Sequence, residues 1–254
     1  MDILRQHEIA EAGLRILNPF DDDKLMLLGE VCRLGPGQRH LDLACGKGEM
    51  LTRWSDMYGT VGEGVDISEV FLAAAHERAR ALGVSDRVTF RHGDAAKDVP
   101  DDASYDIVSC IGATWIGGGL AGTVELMRHA LRPGGLILIG EPYWTATPPD
   151  GIPARFAEFT SLVGTLDRLE AAGLSLVEMV LADRGSWDRY AAAQWWTVDE
   201  WLREHPAHPD AGGMRRYLDE SRRSHLTYQR EFLGWGVFVC RDGRPGSEVS
   251  GDNT

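Results

Sequence analysis

The sequence predicts an α/β fold built on a doubly wound, mostly parallel sheet. Short apolar segments alternate with helical segments between residues 40 and 140, which is the pattern of βαβ units. The aliphatic run at residues 136–140 is typical of a strand buried on both faces. The chain has 254 residues, of which 43% are hydrophobic and 26% charged, as in globular proteins. We therefore expect a single domain over residues 1–254.

The N-terminal part precedes the first strand and is predicted to be helical. Apolar positions favour a helix over residues 2–17, and Asn18-Pro19 ends it. A second helix with an acidic start is predicted at residues 21–34, so residues 1–35 form an N-terminal helical cover. Strands are predicted at residues 40–44, 60–65, 87–91, 105–110, 136–140, 174–182 and 235–240. Helices are predicted between them at residues 49–58, 68–82 and 121–131, and another ends near residue 172.

A long insertion separates the last two strands and is rich in aromatic residues. Residues 183–233 are expected to form a helical cap over the ligand-binding edge of the sheet. Its aromatic residues are Trp187, Tyr190, Trp195, Trp196, Trp201, Tyr217 and Tyr228. They form either the core of the cap itself or an aromatic cage for a cation. The polar segment 241–254 is expected to be a flexible tail.

Composition excludes several classes of protein. With 26 Lys and Arg against 39 Asp and Glu, the net charge is −13, which disfavours nucleic acid as a partner. No apolar run is long enough to span a membrane, and the N-terminus lacks a signal-peptide pattern. The four cysteines are scattered, and no cluster has metal-ligand spacing. We expect a cytoplasmic protein with no metal.

A glycine-containing turn follows the first predicted strand, in the sequence LDLACGKGEML at residues 41–51. A strand, a glycine turn and a helix together let a ligand approach bare backbone. A dinucleotide site is disfavoured because Leu51 replaces the third glycine of that motif and Asp42 lies inside the strand. A carboxylate at this point suits a ligand with a cationic amino group. Asp42 serving only as a turn acid is the alternative.

Two further acids follow the next two strands. Asp66 ends the second strand about 20 residues after the turn, where an acid can bind both hydroxyls of a ribose. The alternative is a cap for the next helix, although Ser68 is the better cap. Asp94 follows the third strand and could accept a hydrogen bond from an exocyclic amine, or could form only an Asx-turn.

The segments LDLACGKGEM, GVDIS, GDA and LRPGG together resemble the class I S-adenosylmethionine-dependent methyltransferases. Within them the chain resembles the bacterial YjhP-type methyltransferases, sharing ILNPF, GATWIGGG, IGEPYW, VEMVLAD, WDRY and GWGVF. The resemblance implies a seven-stranded sheet of order 3-2-1-4-5-7-6 with the last strand antiparallel. It implies S-adenosylmethionine as cofactor and S-adenosylhomocysteine as product. The implied cofactor residues are Asp42, Ala44, Gly46 and Gly48 at the methionine end, Asp66 at the ribose, Asp94 and Ala95 at the adenine, and Ile67, Ile111 and Gly112 along the walls.

The acceptor side is less defined, because an aligned methyl transfer from a sulfonium needs little besides orientation and a dry site. Residues that follow the fourth and fifth strands face the ligand crevice of a parallel sheet. The candidates are Glu141 and Tyr143 for orienting the acceptor, and Trp115, Trp144, Tyr190 and Trp196 for its pocket. We expect in-line transfer to a small molecule. A methyltransferase acting on protein or RNA, or a protein that binds the cofactor without chemistry, is the alternative.

Overall fold

A seven-stranded sheet forms the centre of the protein, in the order β3-β2-β1-β4-β5-β7-β6. The computed structural model describes residues 1–151, 156 and 158–244. Neighbouring strands are parallel except where β7 pairs with β5 and β6. The strands are β1 (Arg39–Leu43), β2 (Val61–Asp66), β3 (Val88–His92), β4 (Tyr105–Ile111), β5 (Leu131–Trp144), β6 (Leu174–Leu181) and β7 (Leu233–Asp242). The expected strand order and the antiparallel last strand are confirmed.

Helices cover both faces of the sheet and one of its edges. They are α1 (Ile3–Ala10), α2 (Asp22–Val31), α3 (Glu49–Tyr58), α4 (Glu69–Ala81), α5 (Leu120–Ala130), α6 (Leu162–Ala171), α7 (Arg184–Glu204), α8 (Ala211–Ser224), a π-helical turn (His225–Gln229) and α9 (Arg230–Phe232). Several begin with a side chain that accepts a hydrogen bond from the first turn, which satisfies a backbone N–H that the helix leaves open. These capping residues are Asp21, Ser68, Ser161 and Asp183.

Two buried clusters hold the sheet between its helices. On one face, Met127 of α5 and Leu169 of α6 pack in a cluster with Ile139 of β5. On the other face, Leu28 of α2 and Trp54 of α3 belong to a second cluster. Burying side chains of this size stabilises a fold by about 1.5–3 kcal/mol each. The strand ends that carry the candidate site are thereby held in fixed positions.

The N-terminal helix is shorter than the apolar pattern predicts. α1 ends at Ala10, whereas the prediction extended it to residue 17. The carbonyl oxygens of Glu11, Ala12 and Leu14 accept hydrogen bonds from Lys47 Nζ, at 2.8, 2.8 and 2.6 Å. A lysine ammonium has three donors, and all three are used here. Because these carbonyls bind a distant side chain, the segment turns instead of continuing as a helix.

Strands β5 and β7 are longer than predicted. The antiparallel pairing continues from Glu141 opposite Gly236 to Trp144 opposite Leu233, so the candidate acceptor residues lie on a strand. At the other end of β7, Arg241 and Asp242 still belong to the strand, although the sequence placed them in the tail. Residues 245–254 of that predicted tail lie outside the described residues.

The cap, residues 183–233, has a small core of its own. Val198 of α7 and Met214 and Leu218 of α8 form a cluster with Ile9 and Ala10 of α1. The aromatic side chains that pack against this cluster are Trp195, Trp201 and Tyr217. The cap and the N-terminal helix are therefore one packed unit. In the described part of the chain, no helix has the length and apolar character needed to cross a bilayer.

Candidate active site

The turn between β1 and α3 has a backbone that favours glycine. Ala44, Gly46 and Gly48 all adopt left-handed conformations, with φ of 60°, 55° and 61°. An alanine in this region costs about 1 kcal/mol, so surrounding contacts must hold the turn. A Cβ on Gly48 would lie 2.4 Å from Cε1 of Phe90, which excludes any side chain there. Glycine therefore suits the path of the turn at the start of α3, where both Gly46 and Gly48 are buried.

Asp66, at the end of β2, holds this turn in place. Its Oδ2 accepts a hydrogen bond from the N–H of Gly46 at 2.7 Å, and its Oδ1 accepts one from the N–H of Ser68 at 2.8 Å. Burial raises the pKa of Asp66, and the two N–H donors oppose that rise. The acid predicted to bind a ribose is thus fixed beside the turn. Ser68, not Asp66, caps α4.

Asp42 lies in the interior of β1, and only 4% of it is exposed. Ser109 Oγ on β4 donates a hydrogen bond to Asp42 Oδ1 at 2.6 Å. Burial and the negative charge of Asp66 raise the pKa of Asp42 to about 7, although the Ser109 bond opposes this. A carboxyl group in this state binds a cation readily, because a positive partner restores its ionised form.

Asp94 and its neighbours lie at the end of β3. Asp94 Oδ1 accepts a hydrogen bond from the N–H of Ala96 at 3.0 Å, and Lys97 Nζ lies 2.6 Å from Oδ2. The Lys97 ammonium holds the pKa of Asp94 below its usual range. The Asx-turn that the sequence left open therefore forms. It leaves the carboxylate at the surface, where an exocyclic amine can still reach it.

Apolar side chains and open space adjoin these acids. Ile67 is 59% exposed directly after β2. A Cβ on Gly112, just past β4, would meet no atom within 4 Å. Ile111 is half-buried, and Ala95 belongs to the core on one face. The structure thus brings all the predicted cofactor residues to the carboxyl ends of β1 to β4, at one edge of the sheet.

Part of the predicted N-terminal cover contacts this edge of the sheet, although none of its residues was a candidate site residue. We call residues 11–20 the strap. Tyr190 Oη on α7 donates a hydrogen bond to Glu11 Oε1 at 2.6 Å. A Cβ on Gly46 would lie 2.8 Å from Leu17 Cδ1, so the strap lies directly over the turn. Together with the Lys47 bonds described above, these contacts join the strap to both the turn and the cap.

Glu11 is the strap residue with the most unusual environment. It is 8% exposed, and burial raises the pKa of its carboxyl group to about 7. The phenol of Tyr190 and the positive charge of Lys47 oppose this rise. Gln194 also donates to Glu11 Oε1, at 3.4 Å. The sequence analysis did not predict the contact between Glu11 and Tyr190. The two residues are 179 positions apart, and the sequence around Glu11 does not indicate such a distant partner.

Glu141 and Tyr143 lie at the carboxyl end of β5. Glu141 Oε1 lies 2.6 Å from Arg168 Nη1 on α6, and Thr114 Oγ1 donates to Oε2 at 3.3 Å. Burial raises the pKa of Glu141, which the Arg168 guanidinium offsets in part. The ring of Tyr143 lies against Gly234, where a Cβ would be 2.4 Å from its Cζ.

A surface pocket lies beside Tyr143. Its lining includes Trp187 and Arg184 of α7, Arg230 of α9 and Trp235 of β7. Trp187 Nε1 is buried and has no hydrogen-bond partner among the described residues. An unpartnered buried donor of this kind costs about 1–3 kcal/mol.

The structure separates the tryptophans that were predicted to line an acceptor pocket. Trp115 is 65% exposed after β4, while Trp144 is buried with its ring 6.3 Å from that of Phe156. Trp196 is 69% exposed, six positions after Tyr190 on α7. Six positions are about 1.7 helical turns, so the two side chains point to different sides. The structure therefore does not bring Trp196 and Tyr190 together, and the acceptor role of Trp196 stays a prediction.

Within residues 1–151, 156 and 158–244, no group of three His, Cys, Asp or Glu side chains is positioned to hold a metal ion.

Comparison with known proteins identifies relatives of the chain. A family profile described as "Methyltransferase domain" matches residues 41–135. The chain is 45% identical to the uncharacterized protein YjhP of Escherichia coli K12 over 246 residues, covering 94% of this chain and 98% of YjhP. It is 31% identical over 121 residues to 27-O-demethylrifamycin SV methyltransferase of Amycolatopsis mediterranei, covering 48% of this chain and 44% of that protein.

A solved structure extends the likeness to nearly the whole chain. A SAM-dependent methyltransferase from Geobacter sulfurreducens, crystallised with S-adenosyl-L-homocysteine, has a TM-score of 0.90 and 47% identity. The match covers 95% of this chain and 99% of that one. The chain therefore belongs to the S-adenosylmethionine-dependent methyltransferases, in the group that includes YjhP.

Proposed function

We propose that the protein methylates a small molecule by in-line displacement, in a site enclosed between the strap, the cap and the carboxyl edge of the sheet. The observation that carries this proposal is the set of contacts joining Lys47, Glu11 and Tyr190 across that edge. An enclosed, partly apolar site is what a small acceptor needs. A protein or an RNA would need an open surface at the same edge.

The residues at the edge fit S-adenosylmethionine. Asp42 is a buried carboxyl group that a cationic amino group would stabilise. Asp66 is held beside the turn by its bond to Gly46, at the end of the second strand, where an acid can bind the hydroxyls of a ribose. Ile67 presents exposed apolar surface next to Asp94, and Gly112 leaves open space opposite. We assign the methionine end to Asp42 and the turn, the ribose to Asp66 and the adenine to Asp94 with its apolar neighbours.

Bound S-adenosylmethionine would supply an activated methyl group on a good neutral leaving group. The chain's own contribution is to orient the acceptor and to exclude water. Glu11 and Tyr190 close the site from the strap side, and Glu141 with Arg168 forms a fixed polar pair at the end of β5.

We place part of the acceptor in the pocket beside Tyr143. The pocket is lined by aromatic rings together with two arginines and two acids, which suits a small acceptor that carries both apolar and polar groups. The rifamycin methyltransferase, by its name, acts on a small molecule. The same reasoning favours an enzyme without a macromolecular partner.

A transfer assay tests the proposal. The purified protein is incubated with methyl-labelled S-adenosylmethionine and a bacterial extract separated into small molecules, protein and RNA. We expect label in the small-molecule fraction, identified by mass spectrometry, and loss of that label in Glu11→Gln combined with Tyr190→Phe. Label in protein or RNA alone would replace the proposal with a macromolecule methyltransferase. Cofactor binding without transfer to any fraction would leave a binding protein.

A further inference from the structure

We propose that His40 and Ser109 are positioning residues that orient the Asp42 carboxylate toward the amino group of the bound cofactor. The inference rests on the proposed role of Asp42 in binding the cofactor. It concerns two residues that no sequence motif singles out, one on β1 and one on β4.

The three side chains form a continuous buried chain. His40 Nε2 lies 2.7 Å from Ser109 Oγ, and Ser109 Oγ lies 2.6 Å from Asp42 Oδ1. His40 and Asp42 are two positions apart on β1 and so point to the same face, and Ser109 is paired with Asp42 in the parallel register. His40 and Ser109 are 0% exposed, so water does not compete for these bonds.

The direction of the hydrogen bonds follows from the state of His40. Burial lowers the pKa of His40 to about 3, so the ring is neutral and carries one N–H. Nδ1 has no partner among the described residues, so the lowest-cost tautomer carries the proton on Nε2 and donates it to Ser109. The single hydroxyl proton of Ser109 is then directed to Asp42. The other acceptor in reach, the Leu41 carbonyl, is farther away at 3.4 Å.

A donor aimed at a carboxylate favours its charged form. The titratable groups around Asp42 are Asp66 on β2, Cys45 in the turn, Cys110 on β4 and His40. Asp66 and burial raise the pKa of Asp42, and both thiols stay neutral because burial raises their pKa values as well. Among the described residues, the Ser109 hydroxyl is the side chain whose hydrogen bond lowers the pKa of Asp42 and so opposes that rise. Removing it should leave Asp42 protonated at neutral pH.

A purely structural role, in which the chain only joins β1 to β4, predicts a different result. Loss of a structural bond lowers stability, and it lowers cofactor affinity equally at every pH. Loss of a donor to Asp42 weakens binding most at pH values where Asp42 becomes protonated. The pH dependence of binding therefore separates the two roles.

The experiment is calorimetric titration with S-adenosylhomocysteine from pH 5.5 to 8.5, on the full chain, with thermal unfolding of each variant. Ser109→Ala should bind about tenfold more weakly at pH 7, with the difference shrinking toward pH 8.5. His40→Phe, which keeps a ring against Trp54, should shift the pH profile in the same direction. His40→Gln has a side-chain N–H that can replace the Nε2–H of His40, so it should keep the wild-type pH profile of binding. Thr165→Val removes a buried hydroxyl with no partner among the described residues and should change nothing.

Asp42→Asn identifies which step fails. If Asp42→Asn binds S-adenosylhomocysteine as tightly as the wild type, the cofactor role of Asp42 is wrong and the inference falls with it. If Asp42→Asn binds weakly while Ser109→Ala and His40→Phe keep the wild-type pH profile, only the positioning role is wrong. Should Ser109→Ala fail to fold, the comparison of His40→Phe with His40→Gln decides the question alone.

Discussion

Asp66 has a structural role besides the ribose-binding role that we propose for it. Its two oxygens accept hydrogen bonds from Gly46 and Ser68, which links the cofactor turn to the start of α4. Replacing it with alanine would leave two backbone N–H groups without an acceptor, at about 1–3 kcal/mol each. Asparagine is the better substitution, because it keeps one acceptor oxygen.

Asp66→Asn should weaken S-adenosylhomocysteine by about 1.5–3 kcal/mol, the range for hydrogen bonds to a charged group. Calorimetry measures the affinity, and urea unfolding shows that the variant is folded. Asp86→Asn, an exposed change of the same kind, is the control. Unchanged affinity in a folded Asp66→Asn protein would remove Asp66 from the cofactor site.

Glu11 makes stability depend on pH. Burial raises its pKa from 4.5 to about 7, so the folded state holds a proton that the unfolded state has released. Its contribution is fully present below about pH 4.5 and is lost as pH rises through 7. The wild type should therefore lose stability between pH 5 and pH 8, whereas Glu11→Gln has no such proton to lose. The difference in free energy of unfolding between the variant and the wild type should grow in favour of the variant by on the order of 2–3 kcal/mol over this range. Urea unfolding at the two pH values measures this difference. A gain of the same size at both would contradict it.

The sequence predicts those candidate site residues that lie next to a recognisable strand and turn. It does not predict residues whose partners are far away along the chain. Asp42, Asp66 and Asp94 each follow or end a strand next to a recognisable turn, so local pattern locates them. Glu11 meets Tyr190 across 179 positions, and Ser109 meets Asp42 across 67. Contacts of that separation depend on the packing of the whole chain. A polar Ser inside an apolar strand was the one local signal available for Ser109.

At the level of elements, the strap is the feature that periodicity misjudged. The apolar pattern extended the first helix to residue 17, but Lys47 binds the carbonyls that such a helix would use. β5 was predicted too short for a related reason. Glu141 and Tyr143 continue as a strand because β7 pairs with them, and the sequence around Pro142 does not show that partner. The order and type of the elements were predictable, while their ends were set by tertiary contacts.

Loosening the strap should release the cofactor product faster. Lys47→Met keeps the apolar stem and removes the three hydrogen bonds, and Tyr190→Phe removes the bond to Glu11. We expect S-adenosylhomocysteine to dissociate about tenfold faster from Lys47→Met. This corresponds to a loss of about 1.4 kcal/mol in the free energy that keeps the strap closed over the ligand. Stopped-flow displacement measures the rate. Trp196→Ala, on the exposed side of α7, should behave as the wild type; if it matches Lys47→Met, the strap contacts are not what retains the ligand.

For the whole molecule, the chemistry needs no metal ion in this account. We expect methyl transfer to be unchanged by a chelator, since orientation and water exclusion supply the catalysis. The assay is label transfer with and without EDTA, at the acceptor found in the small-molecule fraction. Activity that EDTA removes and Mg²⁺ restores would show that a cation binds the acceptor.

We propose that the strap and the cap close over the cofactor at the carboxyl edge of the sheet. Hydrogen–deuterium exchange with and without S-adenosylhomocysteine tests this closure, because it reports each segment separately. We expect added protection in residues 11–20 and 184–200 together with the turn at residues 42–48. Protection confined to the turn, with the strap and α7 exchanging as in the free protein, would contradict it.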